Sequence, residues 1–223
     1  MKKSAVPIFA GMFWILTIID IAGILSGCTL LHSLAKPTLM PMLLLLLIFS
    51  GTTTGRKGLV IAALILSFLG DVMLLFENKG PLFFIAGLTA FLFAHACYIF
   101  YFLNVKSSGP SLITKQPWMA ALAAAYGVSL IRFLLPGLGD LTIPVIIYAI
   151  VICTMMICSM HVFLKVIAPA NYLFVAGALF FTASDSMLAI NKFFKPFASA
   201  GVLIMLTYCA AQFCIVSGVV KRK

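Results

Sequence analysis

The sequence predicts an all-α membrane protein, a bundle of eight transmembrane helices compatible with two parallel four-helix repeats. Three observations carry that reading. Hydrophobic residues make up 64% of the chain and charged ones only 9%, where a soluble domain has about 45–50% and about 25%. A water-soluble globular enzyme is therefore excluded. The apolar residues fall into eight segments with short polar breaks, and 223 residues suffice for about eight crossings of roughly 20 residues each. No segment shows the alternation over about ten residues that marks a transmembrane β-strand. The expected organisation is a single polytopic domain over 1–223, with weak halves near 1–110 and 115–223.

The first span, Pro7–Gly27, follows Lys2 and Lys3 and runs into Leu25-Ser26-Gly27-Cys28, which imitates a lipoprotein cleavage signal. Its run of about 20 residues exceeds the about 7–15 of a signal-peptide core and carries Asp20, so it reads as a helix that spans. The second, Leu34–Ser50, is short, with Pro37 and Pro41 in its first two turns, where a bend is expected. The third, Gly58–Phe76, stacks Ser67 under Asp71 at i, i+4; the fourth, Pro81–Asn104, sets Gly87, Phe91, His95 and Tyr98 on one face. Spans five and six, Pro117–Phe133 and Leu141–Leu164, are apolar runs. The seventh, Asn171–Ile190, aligns Gly177, Phe181, Ser184, Asp185 and Leu188 along one face, and the eighth, Ala198–Val220, gives a stripe of Gly201, Met205, Tyr208 and Gln212.

Fifteen Lys and Arg stand against five Asp and Glu, a net charge of +10. In a chain this apolar the excess means cationic cytoplasmic loops, and no nucleic-acid partner is expected. Eight spans put both termini on one side, with Arg56, Lys57, Lys106, Lys115, Lys165 and the terminal Lys2, Lys3, Lys221, Arg222 and Lys223. The other side collects Lys36, Lys79, Arg132, Lys192 and Lys195. The bias puts both termini in the cytoplasm, and a bacterial inner (cell) membrane is the expected location. The six cysteines lie mostly inside apolar runs without a C-x-x-C and read as small buried hydrophobes. No G-x-x-x-x-G-K-[ST], G-x-G-x-x-G, H-E-x-x-H or G-x-S-x-G occurs, so nucleotide-binding, metalloprotease and serine-hydrolase signatures are missing.

A weak repeat is present. A shift of 114 residues lays Asp71, Met73 and Leu74 on Asp185, Met187 and Leu188, and Phe83, Ala86, Gly87 and Ala96 on Phe197, Ala200, Gly201 and Ala210. Four-span halves would run parallel, related by an axis along the membrane normal, with the two aspartates at matching depths. Shared membrane composition produces such matches as well.

Of the five acidic residues, Asp20, Asp71 and Asp185 fall inside spans. Each costs about 2.5–3.5 kcal/mol at a helix centre, so an intramembrane carboxylate points to function unless it merely pairs with a lysine to hold helices together. All three lie roughly 7–11 Å below the same surface, opposite the termini, counting about 1.5 Å per residue. Lys36 enters on that side and either holds an anionic headgroup or snorkels at the interface; Asn191 and Lys192 close span seven there. His95, about 21 Å into its span, falls beyond the midplane. With Tyr98, and with Gln212 at the repeat position of Tyr98, it forms a second polar layer, structural or catalytic. His32 and His161 lie near span ends with no partner legible in the sequence.

These residues carry a family resemblance. Lys36-Pro37 opens span two and Gly70-Asp71 marks span three; Gly87-Leu88-Thr89-Ala90-Phe91 with His95 and Tyr98 marks span four. Gly177-Ala178, Phe181 and Ser184-Asp185-Ser186 with Leu188 mark span seven, and Tyr208 with Ala211-Gln212 marks span eight. Each piece is unspecific alone, but the ordered set resembles the YhhN family of integral membrane proteins, whose characterised members are lysoplasmalogenases. The resemblance implies hydrolysis of the vinyl ether of a lysoplasmalogen, a lysophospholipid of the bilayer, to a fatty aldehyde and glycerophosphoethanolamine or glycerophosphocholine. It implies no metal or organic cofactor.

That chemistry suits the residues. Protonating the β-carbon of a vinyl ether makes an oxocarbenium ion that water captures, which calls for one protonated carboxyl and one carboxylate. Asp71 and Asp185 are the expected catalytic pair. Lys36 is first choice for the phosphate, and Ser184, His95, Tyr98, Tyr208, Gln212, Asp20 and Asn191 complete the candidate substrate-binding set. Intramembrane aspartyl proteases pair G-x-G-D with Y-D; here Leu69 precedes Gly70-Asp71 and Ser184 precedes Asp185, so both motifs are broken. The alternative from another class is a proton-coupled transporter using the buried Asp and His residues.

Overall fold

The computed structural model describes residues 5–53, 55–105 and 109–222; Lys2, Lys3, Lys106 and Lys223 of the charge count lie outside the described residues. The elements are α1 (Ala5–Ser26), α2 (Thr29–Phe49), α3 (Lys57–Leu75), α4 (Pro81–Leu103), a short α5 (Leu112–Lys115), α6 (Trp118–Leu138), α7 (Thr142–His161), α8 (Ala170–Phe193) and α9 (Ala200–Lys221). No strand occurs among the described residues. Seven stretches among them are long and apolar enough to cross a membrane, and one, Trp118–His161, contains both α6 and α7. The chain is thus a multi-pass membrane protein with seven or eight spanning helices. A helix satisfies its backbone groups internally, as hydrocarbon requires, and Ile8, Ile15, Leu82, Phe93, Ile143 and Ile150 point outward where lipid would be.

The chain divides into two compact units, residues 1–101 and 102–223. In the first, α1 and α2 form a tight hairpin. Gly27 turns the chain at a positive φ of 67°, and Gly23 allows close approach, since a Cβ there would stand 2.8 Å from the His32 nitrogen. Phe13, Leu39, Leu43, Leu47 and Leu64 fill the core of this unit. The α3–α4 crossing rests on two further glycines: Gly70 lies against the Phe91 ring and Gly87 against Leu74. Small residues at crossings are how helices approach closely in lipid, where burial of apolar surface drives nothing.

In the second unit α6 turns into α7 through a 3-10 turn, Gly139–Leu141. Gly127 of α6 faces the Cys153 sulfur of α7. Leu134, Leu138 and Val145 form a small core with Leu130, Ile190 and Phe193. The α8–α9 pair is closest, with Gly177 against Ile215 and the Ala211 carbonyl, and Gly218 against Phe174.

Several boundaries differ by a few residues from the sequence reading, and three of them bear on the candidate residues. Helix α2 begins at Thr29 instead of Leu34, because the polar start of the helix is used: His32 pairs with Asp20. Helix α6 continues through Pro136 to Leu138, past the expected end at Phe133, because its last turn packs on α7 and α8. Helix α8 runs on to Phe193, and Asn191 Oδ1 accepts the Phe197 N–H to close the following loop. Both prolines of α2 lie inside one continuous helix.

If the α8–α9 crossing depends on its glycine, Gly177→Ala will cost about 1–3 kcal/mol, because the added Cβ would stand 2.6 Å from Ile215 Cγ1 and 3.0 Å from the Ala211 carbonyl oxygen. Thermal unfolding in detergent reads this out, with Gly11→Ala, which meets nothing within 4 Å, expected to lose no stability.

Candidate functional site

Successive helical side chains point about 100° apart, at 3.6 residues per turn, so a run of three polar residues must find three different neighbours. Ser184-Asp185-Ser186 of α8 does this. Ser184 Oγ donates to the Ile204 carbonyl of α9 at 3.0 Å. Asp185 Oδ2 accepts the Tyr148 hydroxyl of α7 at 2.7 Å. Ser186 Oγ lies 2.7 Å from the Tyr126 hydroxyl of α6 and gives its own hydrogen to the Thr182 carbonyl at 2.6 Å. A serine has one hydrogen to give, so Tyr126 is the donor to Ser186.

Asp185 is half-buried and borders a cavity of about 30 Å³ with Leu130, Leu134, Val145, Tyr148 and Ser186. That volume suffices for a single water molecule. The arrangement is a carboxyl group oriented by a tyrosine hydroxyl, with water-sized space beside it. On α9, Tyr208 is buried edge-on to Phe181 at 5.6 Å, and Gln212 is fully buried.

The first unit holds the other candidates. Asp71 of α3 is buried, one turn after the equally buried Ser67, and Gly70 beside it admits the Phe91 ring. His95 is fully buried, and its Nδ1 lies 2.6 Å from the Phe91 carbonyl. A carbonyl only accepts, so Nδ1 carries the hydrogen and the ring is tied to its own helix. Tyr98, on the same helix, is buried as well. Asp20 is fully buried on α1 and binds His32 Nδ1 through Oδ1 at 2.7 Å, while Oδ2 has no hydrogen-bond partner among the described residues. Lys36, one turn beyond His32 on α2, is half-buried. Thus Asp20, Lys36, Asp71, His95 and Tyr98 belong to the first unit, and Ser184, Asp185, Asn191, Tyr208 and Gln212 to the second.

Sequence reasoning missed Tyr148, Tyr126 and His32 as partners. Tyr148 and Tyr126 meet α8 across 37 and 60 residues, separations at which no local periodicity helps. The presence of hydroxyls in the apolar runs of spans five and six was the available signal. Among the described residues, no group of three or more His, Cys, Asp or Glu is arranged to hold a metal ion.

Comparison with known proteins bears on this site. The pattern of the YhhN family matches residues 31–219. A protein of Mycobacterium bovis named lysoplasmalogenase is 31% identical over 193 residues, covering 84% of this chain and 71% of its own; one of Mycobacterium tuberculosis with the same name matches equally. Human lysoplasmalogenase TMEM86B is 30% identical over 176 residues, 72% of this chain and 63% of its own. No solved structure matches.

The Tyr126–Ser186 bond should be measurable as a coupling. Tyr126→Phe and Ser186→Ala will each lower stability by about 0.5–1.5 kcal/mol, and the double variant will lose clearly less than the sum of the two, in unfolding experiments in detergent.

Proposed function

This chain belongs to the YhhN family, and from that premise we propose that it is a lysoplasmalogenase, a membrane hydrolase that cleaves the vinyl ether of lysoplasmalogen. The products are a fatty aldehyde and glycerophosphoethanolamine or glycerophosphocholine. The observation that carries the reading is its likeness, over most of its length, to proteins named lysoplasmalogenase. A carboxyl group oriented by the Tyr148 hydroxyl beside a water-sized cavity supports it.

In this reading Asp71 and Asp185 are the acid and base of the reaction. The protonated carboxyl gives its proton to the β-carbon of the vinyl ether, the double-bond electrons form that C–H bond, and the α-carbon becomes an oxocarbenium ion. The other carboxylate takes a proton from water as its oxygen bonds the α-carbon. The hemiacetal hydroxyl then gives its proton to the carboxylate left by the first step as the bond to the glycerol oxygen breaks, that oxygen takes the proton held by the other carboxyl, and the aldehyde leaves with both groups in their starting states. Tyr148 is a positioning residue: its hydrogen bond fixes the rotamer of Asp185, and the adjoining cavity suits one attacking water. Lys36 takes the phosphate. Ser184, His95, Tyr98, Tyr208, Gln212, Asp20 and Asn191 shape the surroundings of the substrate, several of them through bonds to their own scaffold.

The protein, so read, is one polytopic domain that crosses a bacterial inner membrane eight times with both termini cytoplasmic, its halves parallel four-helix repeats. Eight long helices and the uneven division of Lys and Arg support that topology. The named relatives favour hydrolysis over proton-coupled transport.

Purified protein in detergent should release aldehyde from 1-alkenyl-glycerophosphoethanolamine or its choline counterpart. Asp71→Asn and Asp185→Asn, folded by the same unfolding assay, should each lose a hundredfold or more, and Tyr148→Phe about tenfold. Folded wild type inactive on both headgroups would overturn the reading.

A further inference from the structure

A cavity of about 370 Å³, open on one side where Trp118, Leu122 and Leu179 are exposed, lies between α6, α7 and α8 in the second unit. It has the size of a small-molecule site, for which about 300–1,000 Å³ is usual. Trp118, Met119 and Leu122 line it from α6, Met160 from α7 and Ala183 from α8. Tyr126 lines it too, and the hydroxyl of the same Tyr126 holds Ser186, beside Asp185. The Tyr126 end of the cavity is therefore the end nearer the candidate carboxyl group. From Tyr126 back to Trp118 it follows α6 for about 12 Å of helix rise.

The hydroxyl groups along this wall are used within the protein. Thr182 Oγ1 donates to the Ala178 carbonyl at 2.9 Å, Ser186 Oγ donates to the Thr182 carbonyl and Tyr126 donates to Ser186. What remains is a carbon surface without a charged group, which suits a hydrocarbon chain and offers nothing to a headgroup.

We propose that this cavity is the channel for the single alkenyl chain of the substrate, with the vinyl ether at the Tyr126 end beside Asp185 and the terminal methyl toward Trp118. The inference rests on the hydrolase reading for the identity of its occupant. The chain leaves a bilayer and not water, so the channel adds little hydrophobic affinity. Its contribution is register: a chain seated along α6 fixes which carbon stands at the carboxyl group. Tyr126, tied to Ser186, lines the near end, and small Ala123 and Ala183 leave room for the chain.

The test uses the full-length protein in nanodiscs with Trp14→Phe, which leaves Trp118 as the only indole of the two. The probe is a saturated 1-O-alkyl glycerophosphoethanolamine, which has no vinyl ether to cleave, brominated either near the chain terminus or near the ether. Terminal bromines should quench Trp118 saturably and at least twofold more than bromines near the ether. Unlabelled alkyl lysolipid should reverse the quenching, and Ala183→Phe or the milder Ala123→Leu should abolish the saturable part. Quenching that rises linearly with probe, is equal for both bromine positions and is unmoved by folded forms of both variants would mean bulk lipid contact only and overturn the proposal. In parallel, the kcat/KM ratio for short over long alkenyl chains should rise at least tenfold in Ala183→Phe; an unchanged ratio in an active variant also overturns it. Saturable quenching in a protein that releases no aldehyde would keep the channel and reject the hydrolase, so the two failures are distinguishable.

Discussion

Three consecutive polar residues on one transmembrane helix impose the geometry of the second unit. Hydrocarbon offers no hydrogen bonds, and a polar group left without one there costs several kcal/mol. Ser184, Asp185 and Ser186 cannot share a neighbour because the helix turns them apart. Ser184 and Asp185 bond to α9 and α7, and Ser186 bonds to the Thr182 carbonyl of its own helix while accepting from Tyr126 of α6, so α8 is tied to all three helices at that depth.

Such bonds need close helices, and glycines supply the closeness. Gly177 lets α9 approach α8 about two turns from where Ser184 reaches Ile204, and Gly127 lets α7 approach α6. In the first unit Gly70 and Gly87 do the same beside Asp71. Small residues and polar residues thus occur together on these helices, the small ones letting backbones approach and the polar ones bonding between them. Such bonding in turn serves acid–base chemistry, which needs the reacting groups near 3 Å from each other in a fixed direction.

Much of the fold was legible in the sequence, because span existence depends on composition and length, which are local. Every expected span has its helix, although α2 starts earlier than Leu34 and α6 ends later than Phe133. Those ends were set by tertiary partners, His32 on Asp20 in one case and the contact with α7 and α8 in the other. The site was legible in its acids, since an aspartate in an apolar run stands out. Its other half was not: the partners Tyr148 and Tyr126 are ordinary residues of apolar helices, and only their meeting with α8 gives them a role. His32 was visible as a residue near a span end, yet its bond to Asp20 depends on the tight turn at Gly27.

The account stands on proton transfer from a carboxyl group to carbon as the step that opens the vinyl ether. Aldehyde release in deuterium oxide tests it most directly, through both rate and label. The account predicts a normal solvent isotope effect on kcat/KM and one deuterium on the carbon next to the aldehyde group. An isotope effect of unity in an active enzyme would contradict it.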